Sequence, residues 1–217
     1  MKSSKGNSSL CYFHGASPTS RKGYFNEAAE TWDQRFYTPK LATFLERLVS
    51  RFGLKPGYNV LDVGTGTGVL IPFLLQAIGQ SGSVTAIDFA ERMVQICRSK
   101  HSHLKNVTVK LHDVEEEDLP TASFDAVTCF GLFPHLEKKE KALHNLYRAL
   151  KPRGILIIAH ALSSKEVKAH HNSASQPVAN DMLPENGEMR RLLNRTGFTE
   201  IYIENEPGCY LCLSTKR

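Results

Sequence analysis

The residues of this 217-residue chain whose types and spacing could act together are three glycines and three carboxylates. Gly64, Gly66 and Gly68 alternate with other residues in D-V-G-T-G-T-G at 62–68. Glycines between a strand and a helix let the backbone approach a ligand and leave amides exposed near a helix N-terminus. Asp62 stands just before this loop, Asp88 about twenty residues past it, and Asp113 after a third apolar run. A carboxylate in the second of these positions can accept both hydroxyls of a ribose. One in the third could accept from an adenine amino group, with Val114 offering its backbone amide. Each acid alone could be a turn residue or a helix cap, as Asp88 before F-A-E at 89–91 could be. Three of them ending three successive strands are harder to ascribe to capping, because that edge is where open α/β sheets bind ligands. The loop also departs from the dinucleotide fingerprint, which would place a glycine at position 69, where Val69 stands.

The elements that must position these residues follow from the apolar pattern. Short β-branched or apolar runs at 59–63, 83–87, 107–111, 124–130 and 155–159 predict strands. Between them, 69–78, 90–100 and 137–150 carry helical spacing. Strands alternating with helices imply βαβ units and a parallel sheet covered on both faces. K-P-R-G at 151–154 predicts a turn. Helical spacing also fills 24–52, with Pro39 splitting it and Gly53 ending it. Near the end, a helix over 185–196 closes on Gly197, and strands at 201–204 and 210–214 flank a Pro207-Gly208 turn short enough to make them antiparallel.

Composition narrows the function classes. The length suits one domain, 23–217, preceded by a Ser-, Gly- and Lys-rich arm over 1–22 that is expected to be mobile. No apolar run approaches the roughly 18 residues of a membrane span, and the polar opening lacks the core of a secretory signal. The net charge of +5 falls in short clusters such as Arg190-Arg191, whereas nucleic-acid binders show a dense basic stripe. Five scattered cysteines, an odd number, point to reduced thiols and a cytoplasmic setting. Cys209 and Cys212 form C-x-x-C, but residues three apart on a strand face opposite ways, so both read as small buried hydrophobes.

The chain resembles the class I methyltransferases that use S-adenosylmethionine, especially the branch of ubiquinone and menaquinone biosynthesis. The likeness rests on V-L-D-V-G-T-G-T-G at 60–68, A-I-D at 86–88, H-D-V at 112–114, F-D-A-V at 124–127, R-A-L-K-P-R-G-I-L at 148–156 and T-G-F at 196–198. It departs at Arg153, where the family has glycine. The resemblance implies a Rossmann-like doubly wound seven-stranded sheet in order 3-2-1-4-5-7-6, strand 7 antiparallel, with N-terminal lid helices over 23–52. It further implies that Asp62, Gly64, Thr65, Gly66 and Gly68 hold the methionine end of the cofactor and that Asp88 binds its ribose. Phe89 and Met93 are then expected near adenine, Asp113 and Val114 at its edge, and Phe130 under the sulfonium. Tyr24 and Phe25 belong to the stretch that resembles the family's lid.

A sulfonium already activates its methyl group, so the protein must align the acceptor and exclude water, with a base where the acceptor loses a proton. The loop after the fourth strand, F-G-L-F-P-H at 130–135, puts Phe133 and His135 toward the acceptor; His135 is a base or contact, or else caps the next helix. His160 ends the fifth strand on the same edge. The long segment 161–184 reads as a lid or insertion, in which S-S-K-E at 163–166 forms a capping box opening a helix through His170 and His171. Those two histidines are either a solvated helix face or part of a histidine-rich pocket, and no ligand spacing singles out a metal site. The reading is methyl transfer from S-adenosylmethionine to a small molecule, with no membrane partner. The alternatives are a non-catalytic S-adenosylmethionine-binding regulatory protein and an RNA methyltransferase.

Overall fold

The apolar runs of the central strands are buried on both faces, which leaves few polar positions to alternate with, whereas the run at 107–111 becomes a partly exposed edge strand. In the computed structural model, which describes residues 20–172 and 177–217, seven strands form one sheet. They are β1 (Asn59–Val63), β2 (Ser83–Asp88), β3 (Val107–Leu111), β4 (Phe124–Phe130), β5 (Leu150–His160), β6 (Phe198–Glu206) and β7 (Cys209–Lys216). Their order is 3-2-1-4-5-7-6, as the family likeness implied, and β7 runs antiparallel to both β5 and β6. The two-residue connection, with Gly208 at φ +78°, allows no other direction between β6 and β7.

Successive residues of each central strand feed opposite cores. Leu61, Val127, Leu156 and Ile158 pack with α6 (Lys139–Ala149), α7 (Ser164–Asn172) and α8 (Asn186–Thr196) through Leu143, Leu146, Val167 and Leu193. Val60, Ala126, Ile157 and Ala159 pack with α3 (Pro39–Val49), α4 (Ile71–Ile78) and α5 (Glu91–His101) through Leu45, Leu74, Ile78 and Cys97. The period of two that assigns these residues to the two cores is the doubly wound arrangement at residue level. Among the described residues no helix is long and apolar enough to cross a membrane.

Local signals act where they were expected, with two differences. Thr38 caps α3, accepting from the Leu41 amide at 3.2 Å, and Pro39 takes the first helical position. Ahead of it the expected helix is broken again: α1 (Arg21–Ala28) passes through a tight turn at Ala29–Thr31 into α2 (Trp32–Phe36). There the Thr31 hydroxyl bonds back to the Ala28 carbonyl at 3.4 Å, competing with regular helix. The expected turn at 151–154 is instead a bulge within β5. Two steps along β4, Phe124 to Ala126, face five along β5, Leu150 to Ile155, and Arg153 takes φ +63°, a conformation suited to the family's glycine. The expected arm over 1–22 lies, through residue 19, outside the described residues; Arg21 and Lys22 already belong to α1.

The strand ends converge at one edge, where the glycine loop turns from β1 toward α4. Gly68 fixes how closely α5 approaches that loop. It sits at φ +86°, its carbonyl accepts from His101 Nε2 at 3.1 Å, and a Cβ would lie 2.5 Å from that nitrogen and 2.8 Å from Cys97 Sγ. Gly68→Ala is expected to lower unfolding stability by about 2–4 kcal/mol, from left-handed strain and overpacking together. An unchanged urea midpoint would remove this packing role.

Candidate active site

Asp62 and Asp88 are carried to the sheet edge by β1 and β2 and are almost wholly buried there. Thr128 of β4 donates to Asp62 Oδ1 at 2.7 Å, while Oδ2 is buried with no hydrogen-bond partner. Burial pushes the Asp62 carboxyl up to about 6, outweighing the hydroxyls of Thr65 and Thr128 beside it. Asp88 accepts from the Gly66 amide at 2.8 Å and from the Ala90 amide at 2.9 Å, so one carboxylate ties the glycine loop to the start of α5. Burial raises it to about 6 as well, against those same amides. Two buried carboxylates, one with an orphaned oxygen, form a site built for a ligand that brings donors or positive charge.

Both acids line a cavity of about 620 Å³, within the usual range for a small-molecule site. Gly64 and Gly66 shape its floor. A Cβ on Gly64 would strike Leu132 at 2.7 Å, whereas one on Gly66, at φ +55°, would project into space with nothing nearer than 4.0 Å. That open cradle, with the orphaned oxygen of Asp62, fits the amino-acid end of S-adenosylmethionine. Phe89, Met93, Asp113, Val114 and Phe130 also line the cavity. Asp113 Oδ1 itself accepts from the Glu115 amide at 2.9 Å, a turn bond that aims the residue.

The roof comes from the N-terminal helices. Phe25 meets Trp32 at 5.8 Å, Phe89 at 5.9 Å and His135 at 5.1 Å between ring centroids, all edge-to-face. Tyr24 stands against Phe25 at 5.3 Å. Asp33 of α2 pins this roof to the floor, accepting from Thr67 Oγ1 at 2.5 Å and from Lys100 at 2.6 Å.

Opposite the glycine loop lie histidines. His135, expected as a base or a helix cap, caps nothing; its Nδ1 faces Asp181 Oδ2 at 2.7 Å. Burial holds its imidazole below the ordinary histidine range in spite of that carboxylate. His160 lines the cavity too, and its Nδ1 accepts from the Leu162 amide at 3.0 Å, which assigns its proton to Nε2. Burial brings it down to about 4, so it is neutral at physiological pH. The capping box forms as expected, with Glu166 accepting from the Ser163 amide at 2.8 Å and starting α7.

Two expected site residues are placed differently: Gly68 packs on His101 rather than lining the cavity, and Phe133 is buried in the core beneath its loop, whereas His170 lines the cavity from an exposed position. Its neighbour His171 is the buried one, against His135 at 5.1 Å, so the helix face is not simply solvated. Sequence reasoning left His171 open between a solvated helix face and a histidine-rich pocket, and gave Arg21 and Asp181 no role at the site; the signal for Asp181 was a polar pair, Asn180-Asp181, ending the insertion. Among the described residues no group of three or more His, Cys, Asp or Glu is arranged to hold a metal ion.

Residues 60–154 match the family model described as a methyltransferase domain. The chain is 34% identical over 145 residues to a ubiquinone/menaquinone biosynthesis C-methyltransferase of Psychromonas ingrahamii, covering 63% of this chain and 57% of that one. It is 35% identical over 113 residues to a demethylmenaquinone methyltransferase of Staphylococcus aureus, covering 52% and 46%. The match thus spans about half the length of these curated relatives. The crystal structure of a SAM dependent methyltransferase from Aquifex aeolicus superposes with a TM-score of 0.69 at 28% identity, over 86% of this chain and 98% of that one.

The raised carboxyls carry a pH signature. A carboxyl whose folded value lies above its unfolded one stabilises the fold below the unfolded value and loses that contribution as pH rises through the folded value. In ligand-free protein, Asp62→Asn is therefore expected to gain stability relative to the parent between pH 4 and pH 7, by about 1–3 kcal/mol. Denaturant titrations across that range measure it, and a difference independent of pH would show that Asp62 titrates normally.

Proposed function

We propose that this chain, whose residues 60–154 form a methyltransferase domain, transfers a methyl group from S-adenosylmethionine to a small-molecule acceptor by in-line displacement. The observation that carries the reading is the buried, half-unpaired Asp62 beside Asp88 at the floor of a cavity walled by aromatic rings and histidines. A ligand with an ammonium, two ribose hydroxyls and a sulfonium supplies what those groups lack.

In this reading Asp62 takes the cofactor's amino group, helped by the Thr65 and Gly66 backbone, and Asp88 takes the ribose hydroxyls. Phe89 and Met93 flank adenine, Asp113 and Val114 meet its edge, and Phe130 underlies the methyl-bearing end. The cofactor supplies a methyl group already activated for attack, so the protein's task is alignment and dryness. Phe25, Tyr24 and Trp32 exclude water from above. His135 and His160 contact the acceptor, and His135 removes a proton where the acceptor must lose one.

A small aromatic, quinol-like acceptor suits this cavity, and the names borne by the two curated relatives favour it. Neutral, buried histidines among apolar walls fit an uncharged acceptor better than a polyanion. We place the activity in the cytoplasm, where Cys97, Cys129, Cys209 and Cys212, all free thiols here, would stay reduced.

Labelled methyl transfer to a panel of quinols and phenols tests the proposal. His135→Ala is expected to lower kcat by about 10²-fold or more while leaving cofactor affinity within about twofold, as for loss of a general base. Asp88→Ala is expected to weaken cofactor binding at least about tenfold, the loss of a charge-assisted hydrogen-bond pair. Full turnover in the first variant would take His135 out of the chemistry, and an unchanged dissociation constant in the second would take Asp88 off the ribose.

A further inference from the structure

Asp181, its side chain only 1% exposed, ties together three other parts of the protein: the loop after β4, α1 and α7. Its Oδ2 meets His135 Nδ1 at 2.7 Å. Arg21 of α1 reaches both carboxylate oxygens through Nε at 3.2 Å and touches Oδ1 again through its terminal nitrogen. The backbone carbonyl of the same residue accepts from His171 Nδ1 at 2.6 Å, and the His171 ring leans on His135. An ionised carboxylate only accepts hydrogen bonds; Arg21 binds both oxygens of Asp181, and although burial opposes ionisation, His135 and the Arg21 guanidinium together hold the carboxyl below the usual range. His135 Nδ1 must then be the donor.

We infer that Asp181 is a positioning residue: it fixes His135 as the Nδ1–H tautomer and leaves Nε2, on a ring that lines the cavity, as the proton acceptor for substrate. His160 carries the opposite tautomer, because its Nδ1 accepts a backbone amide. The two rings therefore present unlike nitrogens to one cavity, a lone pair from His135 and an N–H from His160. A hydroxyl-bearing acceptor can give its proton to the first while the second hydrogen-bonds an oxygen. Arg21 ties this arrangement to the lid, since its ion pair with Asp181 exists only with α1 in place. The protonated substrate in this account rests on the methyl-transfer reading, whereas the tautomers do not.

Nitrogen-15 NMR of the full chain labelled at histidine, at pH 7.5, tests the inference without any acceptor. His135 signals are assigned by their loss in His135→Gln, and those of His160 likewise in His160→Gln. Expected are a protonated Nδ1 and an unprotonated Nε2 on His135, and the reverse on His160. Asp181→Asn is then expected to shift His135 toward the other tautomer and to lower kcat for methyl transfer about tenfold or more. Its cofactor affinity is expected to stay within about twofold, a split that general loosening of the fold would not give. A proton on Nε2 of His135 in the parent protein overturns the inference, as does an Asp181→Asn protein with parental tautomer and kcat. Should that variant not fold, the parent spectrum alone decides. Absence of methyl transfer to any acceptor, with the expected tautomers present, would count against the functional reading and not against the role of Asp181.

Discussion

Two carboxylates held out of water at the ends of β1 and β2 set the terms for everything around them. Burial alone would drive Asp62 and Asp88 toward their neutral forms, and both are in fact displaced to about 6. Asp88 is partly compensated by the amides of Gly66 and Ala90, which is why the glycine loop must turn where it does. Asp62 is compensated on one oxygen only, by Thr128. A fold that retains such a pair at its ligand edge stabilises itself fully when a cation and hydroxyls arrive. The positive φ of Gly64 and Gly66, the empty space before Gly66 and the aromatic roof are the geometric counterparts of that electrostatic demand.

The roof and the histidine wall answer to the same cavity from other parts of the chain. Asp33 joins α2 to Thr67 in the loop, and Arg21 joins α1 to Asp181 in the insertion. The lid is thus fastened at two points, one on the cofactor side and one on the acceptor side. Both fastenings are ion pairs or charged hydrogen bonds, and the Arg21–Asp181 one is the better protected from screening, with Asp181 1% exposed against 36% for Asp33. Movement of the helices would expose the cavity and release Asp181 together.

Much of this was legible in the sequence, for reasons specific to each part. Strand positions follow from short apolar and β-branched runs, and the sheet order from the family likeness that motifs such as V-L-D-V-G-T-G-T-G at 60–68 carry. The capping box at 163–166 and the helix break at Pro39 are local, and local chemistry survives tertiary context. What escaped depends on contacts distant in sequence. Arg21 and Asp181 are separated by 160 positions, and no spacing rule joins them. His170 and His171 are adjacent, and only the docking of α7 buries the second. Gly68 belongs to the motif, yet its neighbours His101 and Cys97 show that it serves helix packing. The bulge at Arg153 replaced an expected turn because β5 continues on both sides of K-P-R-G, which the polar residues concealed.

The most direct test of the account is calorimetric titration of the purified full chain, freed of carried-over ligand, with S-adenosylmethionine and S-adenosylhomocysteine. The account predicts one site per chain and dissociation constants on the order of micromolar for both. A folded protein that binds neither would contradict it, because the buried carboxylates at the sheet edge would then have no ligand to answer.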